Sequence, residues 1–272
     1  MRPLSAQSSF REDLEEVVRE QWEYRDLLFQ LTRRDLVLRY KQAVMGFAWA
    51  VLVPLTNTAV FSILFTRIAP LDVGVPYPLF AFLGLLTWNF TASALRFSVI
   101  SLSSNANLVT KVYCPREVFP LSAVLVALVD TLVAATLLVV LMGYFRVWPG
   151  LAALYLPVVV AVHIMFTIAV ALVLAMANLF FRDVKYLFEV AITLWMFSTS
   201  VLYPSNVIGG TAGLAIRMNP MTAIIDAYRD ALLLGRSPLT RDFALAAAVS
   251  ALFLLFVAVL FHRVEFKFAE IA

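Results

Sequence analysis

The side chains able to do chemistry are few and far apart. Asp130 is the one carboxylate deep inside an apolar run, and an ionisable group there is a functional position by default. It would act as a proton site or as hydrogen-bonding glue between helices. With no second carboxylate or basic partner inside an apolar run, glue is the expectation. His163 lies in another apolar run and reads as a packed, neutral histidine, while His262 falls at the edge of a third. Two histidines and one cysteine, Cys114, exclude an intrachain disulfide and a multi-cysteine metal site, so no zinc or haem centre is expected. Asp183 with Glu189, and Asp226 with Asp230, pair carboxylates without a recognisable acceptor site, and no Ser/His/Asp or Cys/His arrangement occurs. A phosphate-cradling G-x-x-x-x-G-K-[ST] loop is absent, so nucleotide is not bound by that route.

The elements that must hold these residues follow from composition. Of 272 residues, 62% are hydrophobic and 14% charged, against about 45–50% and 25% in soluble domains. Mean hydropathy is +0.88. A soluble enzyme, a disordered regulator and a coiled coil are excluded; the expected fold class is an all-α membrane protein. Six charge-poor runs are long enough to be spans, at about 43–68, 78–99, 118–145, 151–181, 184–203 and 243–261. They are continuous rather than alternating, which excludes a barrel and leaves helices. The fourth run is long enough to need tilt or a bend at Pro157. An even count puts both termini on one side. That side carries 15 Lys and Arg and the other 6, so the positive-inside bias places the termini in the cytoplasm. Residues 1–30 are charged and do not read as a cleavable signal.

Residues 1–41 form an expected cytoplasmic segment, and residues 42–272 the transmembrane domain. Within the first, Phe10, Leu14, Val17, Val18 and Trp22 recur at helical spacing among glutamates. A surface helix follows, and its acidic face suits a cytoplasmic partner better than anionic lipid. Between spans two and three, Ser103, Ser104, Asn105 and Asn107 are cap formers. Leu108, Val109 and Val112 form the apolar side of a short helix ending before Pro115, or of a tight loop. Between spans five and six, Pro204, Gly209, Gly210 and Gly213 break the helix. Asn219-Pro220 then starts an amphipathic stretch with Ile224, Ile225, Tyr228 and Leu232 on one side and Asp226, Arg229 and Asp230 elsewhere. It is too short to cross and reads as an external lid, completing one crossing with short span five.

The segments LVLRYKQAVMGFAWAVLVP (Leu36–Pro54), GVPYPLFAFLGLLTW (Gly74–Trp88), SNANLVTKVYCPREVFP (Ser104–Pro120), FRDVKY (Phe181–Tyr186), MNPMTAIIDAYRDALL (Met218–Leu233) and FHRVEFKFAEI (Phe261–Ile271) occur in one order. Together they resemble the permease subunit of type-2 ABC exporters, and more narrowly its polysaccharide branch of O-antigen, capsule and teichoic-acid export. The family pattern often has Pro before the tryptophan of Gly84–Trp88, where this chain has Thr87.

The resemblance implies a homodimer with two copies of a separate ABC ATP-binding subunit, which carries ATP and Mg, and no cofactor on this chain. Its cargo would be an undecaprenyl-type lipid-linked glycan moved across the cytoplasmic (inner) membrane, with no nucleic acid involved. It implies ATPase coupling through the N-terminal helix and through Asn105, Asn107, Leu108, Lys111, Tyr113, Pro115, Arg116 and Glu117. External gate helices would use Asn219, Pro220, Tyr228 and Arg229. Spans one and five would line the passage, with Trp49, Phe61, Trp195, Phe197 and Tyr203 as stacking surfaces for sugar rings. Arg33, Arg34, Arg39, Tyr40 and Lys41 stand where headgroups are met, either binding a lipid diphosphate or anchoring topology. A type-2 ABC drug or antibiotic exporter would share the spans and the lid. A membrane glycan-transferring enzyme would need supported carboxylate pairs that this chain lacks.

Overall fold

A computed structural model of the chain describes residues 10–41, 48–68, 70–111, 114–265 and 268. Among the described residues every regular element is helical. In lipid this is forced, because each helix satisfies its own backbone donors and acceptors. Helices α1 (Phe10–Glu23) and α2 (Arg25–Tyr40) precede α3 (Ala48–Ile63), which holds Pro54 and ends in a π turn over Leu64–Ile68. Then come α4 (Tyr77–Ser104), the short α5 (Ala106–Lys111), α6 (Val118–Phe145) and α7 (Leu156–Phe180). Helix α8 (Val184–Phe197), α9 (Gly210–Met218), α10 (Pro220–Arg229) and α11 (Arg241–Val264) complete the order.

Among the described residues, five segments are long and apolar enough to cross a membrane: Val51–Ile68, Tyr77–Ser104, Val118–Phe145, Leu151–Phe180 and Arg241–Val264. The expected fifth crossing differs. Helix α8 has 14 residues, about 21 Å at 1.5 Å per residue, against a hydrocarbon core of about 30 Å. The chain unwinds over Ser198–Pro204 instead of continuing as helix to Tyr203. Pro157 does not bend a long fourth helix. A 3-10 turn over Leu151–Tyr155 leads into α7, and the proline occupies its first turn, where its missing N–H costs no bond. Ser103 and Ser104 also differ from expectation: they belong to the last turn of α4, their hydroxyls donating to the Ile100 and Ser101 carbonyls.

Helix α4 is the hub. In its apolar window 83% of residues are buried, against 11% in the segment Val51–Ile68. It packs on α3, α6, α7, α8 and α10. Apolar area is not a driving force between helices in lipid, so close approach and hydrogen bonds must hold the bundle. Gly84, Ala92, Ala94, Ser98 and Ser101 supply small contact surfaces on α4. Its buried Thr87 hydroxyl is satisfied by the Leu83 and Gly84 carbonyls. Helices α3 and α8 leave broad apolar faces uncovered, including Trp49, Val60 and Ile63 on α3 and Leu187, Val190, Leu194 and Phe197 on α8.

Candidate functional site: a buried arginine fork, a basic cleft and a buried carboxylate cluster

Arg229 of α10 is 3% exposed, and its side chain reaches the backbone that follows α8. Its Nη1 donates to the Ser200 carbonyl at 2.6 Å and its Nη2 to the Val201 carbonyl at 2.7 Å. Those two carbonyls are freed where α8 unwinds, and the planar fork of arginine matches their spacing. Nη1 also donates to Asp226 at 3.2 Å, which balances the charge, and the guanidinium lies 3.5 Å from the Phe80 ring centroid. Tyr77 donates to the Leu202 carbonyl at 2.8 Å. Expected to face away from the core, Arg229 instead points inward, because unpaired carbonyls at membrane depth demand donors.

Asn219 caps α10, its side chain accepting from the Met221 N–H at 3.1 Å. Its amide donates to Thr199 at 2.9 Å, and Trp195 donates to its oxygen at 3.4 Å. Pro220 opens the same helix. The Tyr228 hydroxyl lies 3.3 Å from His163 Nδ1, and the Thr91 hydroxyl 2.7 Å from His163 Nε2. His163 thus joins α4, α7 and α10. Of the residues assigned to an external gate, Asn219 engages Trp195 and Thr199, Tyr228 engages His163, and Arg229 engages Ser200, Val201, Asp226 and Phe80 close beside Gly84. A glycine inside an apolar run was the sequence signal for the close approach.

Helix α2 lies against α6, and its Arg34 and Arg39 are already engaged. Arg39 pairs with Asp130 and lies 3.8 Å from the Phe97 ring centroid. Tyr40 donates to the other oxygen of Asp130 at 2.6 Å. Burial, aided by that carboxylate, pushes the tyrosine up to about 12, so it keeps its proton as donor. Asp130 therefore has a basic partner after all, supplied by the segment before the spans. Arg34 donates to Asp35 and to Asn105, each at 2.9 Å. Arg33 and Lys41 are exposed. A cleft of about 520 Å3 opens between α2, α4 and α6, with Arg34, Arg39, Phe97 and Asn105 on its walls.

Asn105 is the joint between α4 and α5. Its amide donates to the Ser101 carbonyl at 2.8 Å, and its carbonyl accepts from Leu108 and Val109. Leu108 is half-buried. The side chains of Asn107 and Lys111, and Tyr113, lie outside the described residues. Pro115, Arg116 and Glu117, expected on a partner-facing surface, are buried instead. They pack where α6 starts against the end of α11: the Arg116 N–H donates to Glu265 at 3.2 Å, and its guanidinium is 4.0 Å from the same carboxylate. Burial first, and then the Glu265 charge, pushes Glu117 up to about 8.

The expected passage residues separate into two groups. Trp49 and Phe197 are exposed on the uncovered faces of α3 and α8. Trp195 turns inward, edge-on to Trp88 and Phe166. Phe61 stacks on Phe65, and Tyr203 donates to the Phe197 carbonyl at 2.8 Å. Trp49 also borders a cleft of about 210 Å3 with Asn89, Arg96 and Asp130. Glu189 pairs at 3.2 Å with Arg96 of α4, and Lys185 lies against Tyr186.

Residues 26–233 match the family model described as ABC-2 type transporter. The chain is 33% identical over 257 residues to an O-antigen export system permease protein RfbA of Myxococcus xanthus, covering 93% of this chain and 98% of that one. Two permeases of the same name from Klebsiella pneumoniae are 29% and 28% identical over 249 residues, covering 90% of this chain and 95% of each. Matched in this way along most of its length, this chain of long apolar helices belongs to the ABC-2 type transporter family.

Proposed function

We propose that the chain is the passage-forming subunit of an ATP-driven exporter that moves lipid-linked polysaccharide across the cytoplasmic membrane. The observation that carries this reading is similarity over nearly the full length to permeases named for O-antigen export. The uncovered apolar faces of α3 and α8 support a homodimer in which these faces surround the passage. Exposed Trp49 and Phe197 would offer ring faces to sugars, and Trp195 would hold the lid in place.

Energy would come from two copies of an ABC ATP-binding subunit that bind ATP and Mg2+. Residues 1–41 and α5 would meet them on the cytoplasmic side, where both termini lie. Helix α8 and the α9–α10 lid would together complete a sixth crossing, with residues 42–272 as the membrane domain.

Helix α4 suits a mechanical role. Its 28 residues make a rod of about 42 Å at 1.5 Å per residue. At one end Asn105 joins it to α5; at the other, Phe80 and Gly84 grip the Arg229 rivet. Displacement of α5 by a closing ATPase would therefore be carried to the lid without a flexible intermediary. Arg34 and Arg39, on the cleft beside this joint, would neutralise a lipid diphosphate as it is received.

The test is co-purification with the ATP-binding subunit, reconstitution in liposomes, and turnover measured with a defined undecaprenyl-linked glycan. ATP hydrolysis should rise with the glycan and not with drug-like amphiphiles. Stimulation by drugs alone would assign the complex to drug export, and polymer movement by the chain without its ATPase would refute the reading.

A further inference from the structure

Where α1, the start of α6 and the end of α11 converge, His262 is 2% exposed and neither ring nitrogen has a hydrogen-bond partner among the described residues. Four carboxylates surround it. Nδ1 lies 3.7 Å from Glu265, 4.0 Å from Glu117 and 4.0 Å from Glu20, and Nε2 lies 3.8 Å from Glu16. Glu117 is 3% exposed, and both of its oxygens also lack a hydrogen-bond partner. These separations are too long for hydrogen bonds. They suit atoms arranged around a missing centre: ligands held at about 2.0–2.2 Å stand about 3.0–4.4 Å from one another. One ligand atom each from Glu20, His262 and Glu265 lies within 4.8 Å of the other two.

We propose that Glu20, His262 and Glu265 bind a divalent transition-metal ion that fastens α1 to the membrane bundle. The count of two histidines and one cysteine argued against a metal centre; the fold gathers one imidazole and two carboxylates from α1 and the end of α11. One nitrogen and two oxygens from the chain suit Mn2+, Fe2+ or Zn2+ better than Mg2+ or Ca2+, which take oxygen ligands. Glu16 and Glu20, the less buried members, leave a route from the aqueous side. The proposal does not rest on the export reading: its subject is how the N-terminal helix is held.

The test uses the full chain without a histidine tag, purified in detergent, incubated with Mn2+ or Zn2+ and freed of loose metal on a chelating resin. Mass spectrometry should find about one metal per chain. H262A and the milder E20Q should each lower occupancy at least fivefold. EDTA should lower the Tm of the wild type by several degrees, Mn2+ or Zn2+ restoring it and Mg2+ not. E20Q, altered at a half-buried site, should remain folded and lose the EDTA response. A wild type that retains less than a tenth of a metal per chain with an EDTA-insensitive Tm would overturn the proposal. So would variants that bind as much metal as the wild type.

Discussion

Gly84 and Arg229 occupy one space: a Cβ on Gly84 would stand 2.6 Å from Arg229 Nη2 and 2.2 Å from the Val201 carbonyl oxygen. The unwound chain after α8 is thus gripped from two sides, by a guanidinium that binds its carbonyls and by a helix cut away to admit both.

Gly84→Ala should therefore force backbone rather than a flexible side chain to move, at a cost of about 1–3 kcal/mol. A lowered Tm in detergent, with export lost before ATPase assembly, is the expected outcome. Wild-type stability and export in this variant would show that the contact is not limiting.

Arg229→Met should cost about 3–5 kcal/mol, because two buried carbonyls and Asp226 lose their partner. Arg229→Lys should recover little, since an ammonium cannot span both carbonyls as a planar fork does. Thermal unfolding of the three proteins measures this directly; full rescue by lysine would contradict the fork geometry.

Arg39 and Asp130 should behave as one unit. Asp130→Asn and Arg39→Gln should each destabilise by about 1.5–3 kcal/mol, as for hydrogen bonds to charged groups. The double variant should cost less than the sum. Additive losses would mean that the two side chains act independently.

Arg96 and Glu189 provide the contrast. Both side chains of this pair are about half exposed, so Arg96→Gln should change stability by less than about 1 kcal/mol. A larger loss in urea or heat unfolding would indicate that a second copy buries the pair.

Phe197→Ala and Trp195→Ala should differ although the residues are two apart. Phe197 is exposed, and its loss should slow glycan transport with Tm unchanged. Trp195 packs on Trp88 and Phe166 and bonds Asn219, so its loss should lower Tm and transport together. Equal effects on Tm would argue against the division between passage and lid.

The membrane class, the long apolar segments and the family were legible in the chain itself, because hydropathy and local motifs are properties of consecutive residues. Helix ends were legible where a local cap sets them, as at Asn219-Pro220. The direction taken by Arg229 was not, since its need for an inward course arises only where α8 unwinds and leaves carbonyls 28 and 29 residues away without donors. Asp130 read as lacking a basic partner because Arg39 stands 91 positions earlier. Pro115, Arg116 and Glu117 looked like a surface motif until α11 brought Glu265 to Arg116 from 149 residues away. The same closure set His262 among four carboxylates. Local sequence decides which segments become helices in lipid. Which polar groups meet between them is decided by packing, because each buried charge or carbonyl must find its partner wherever the fold places one.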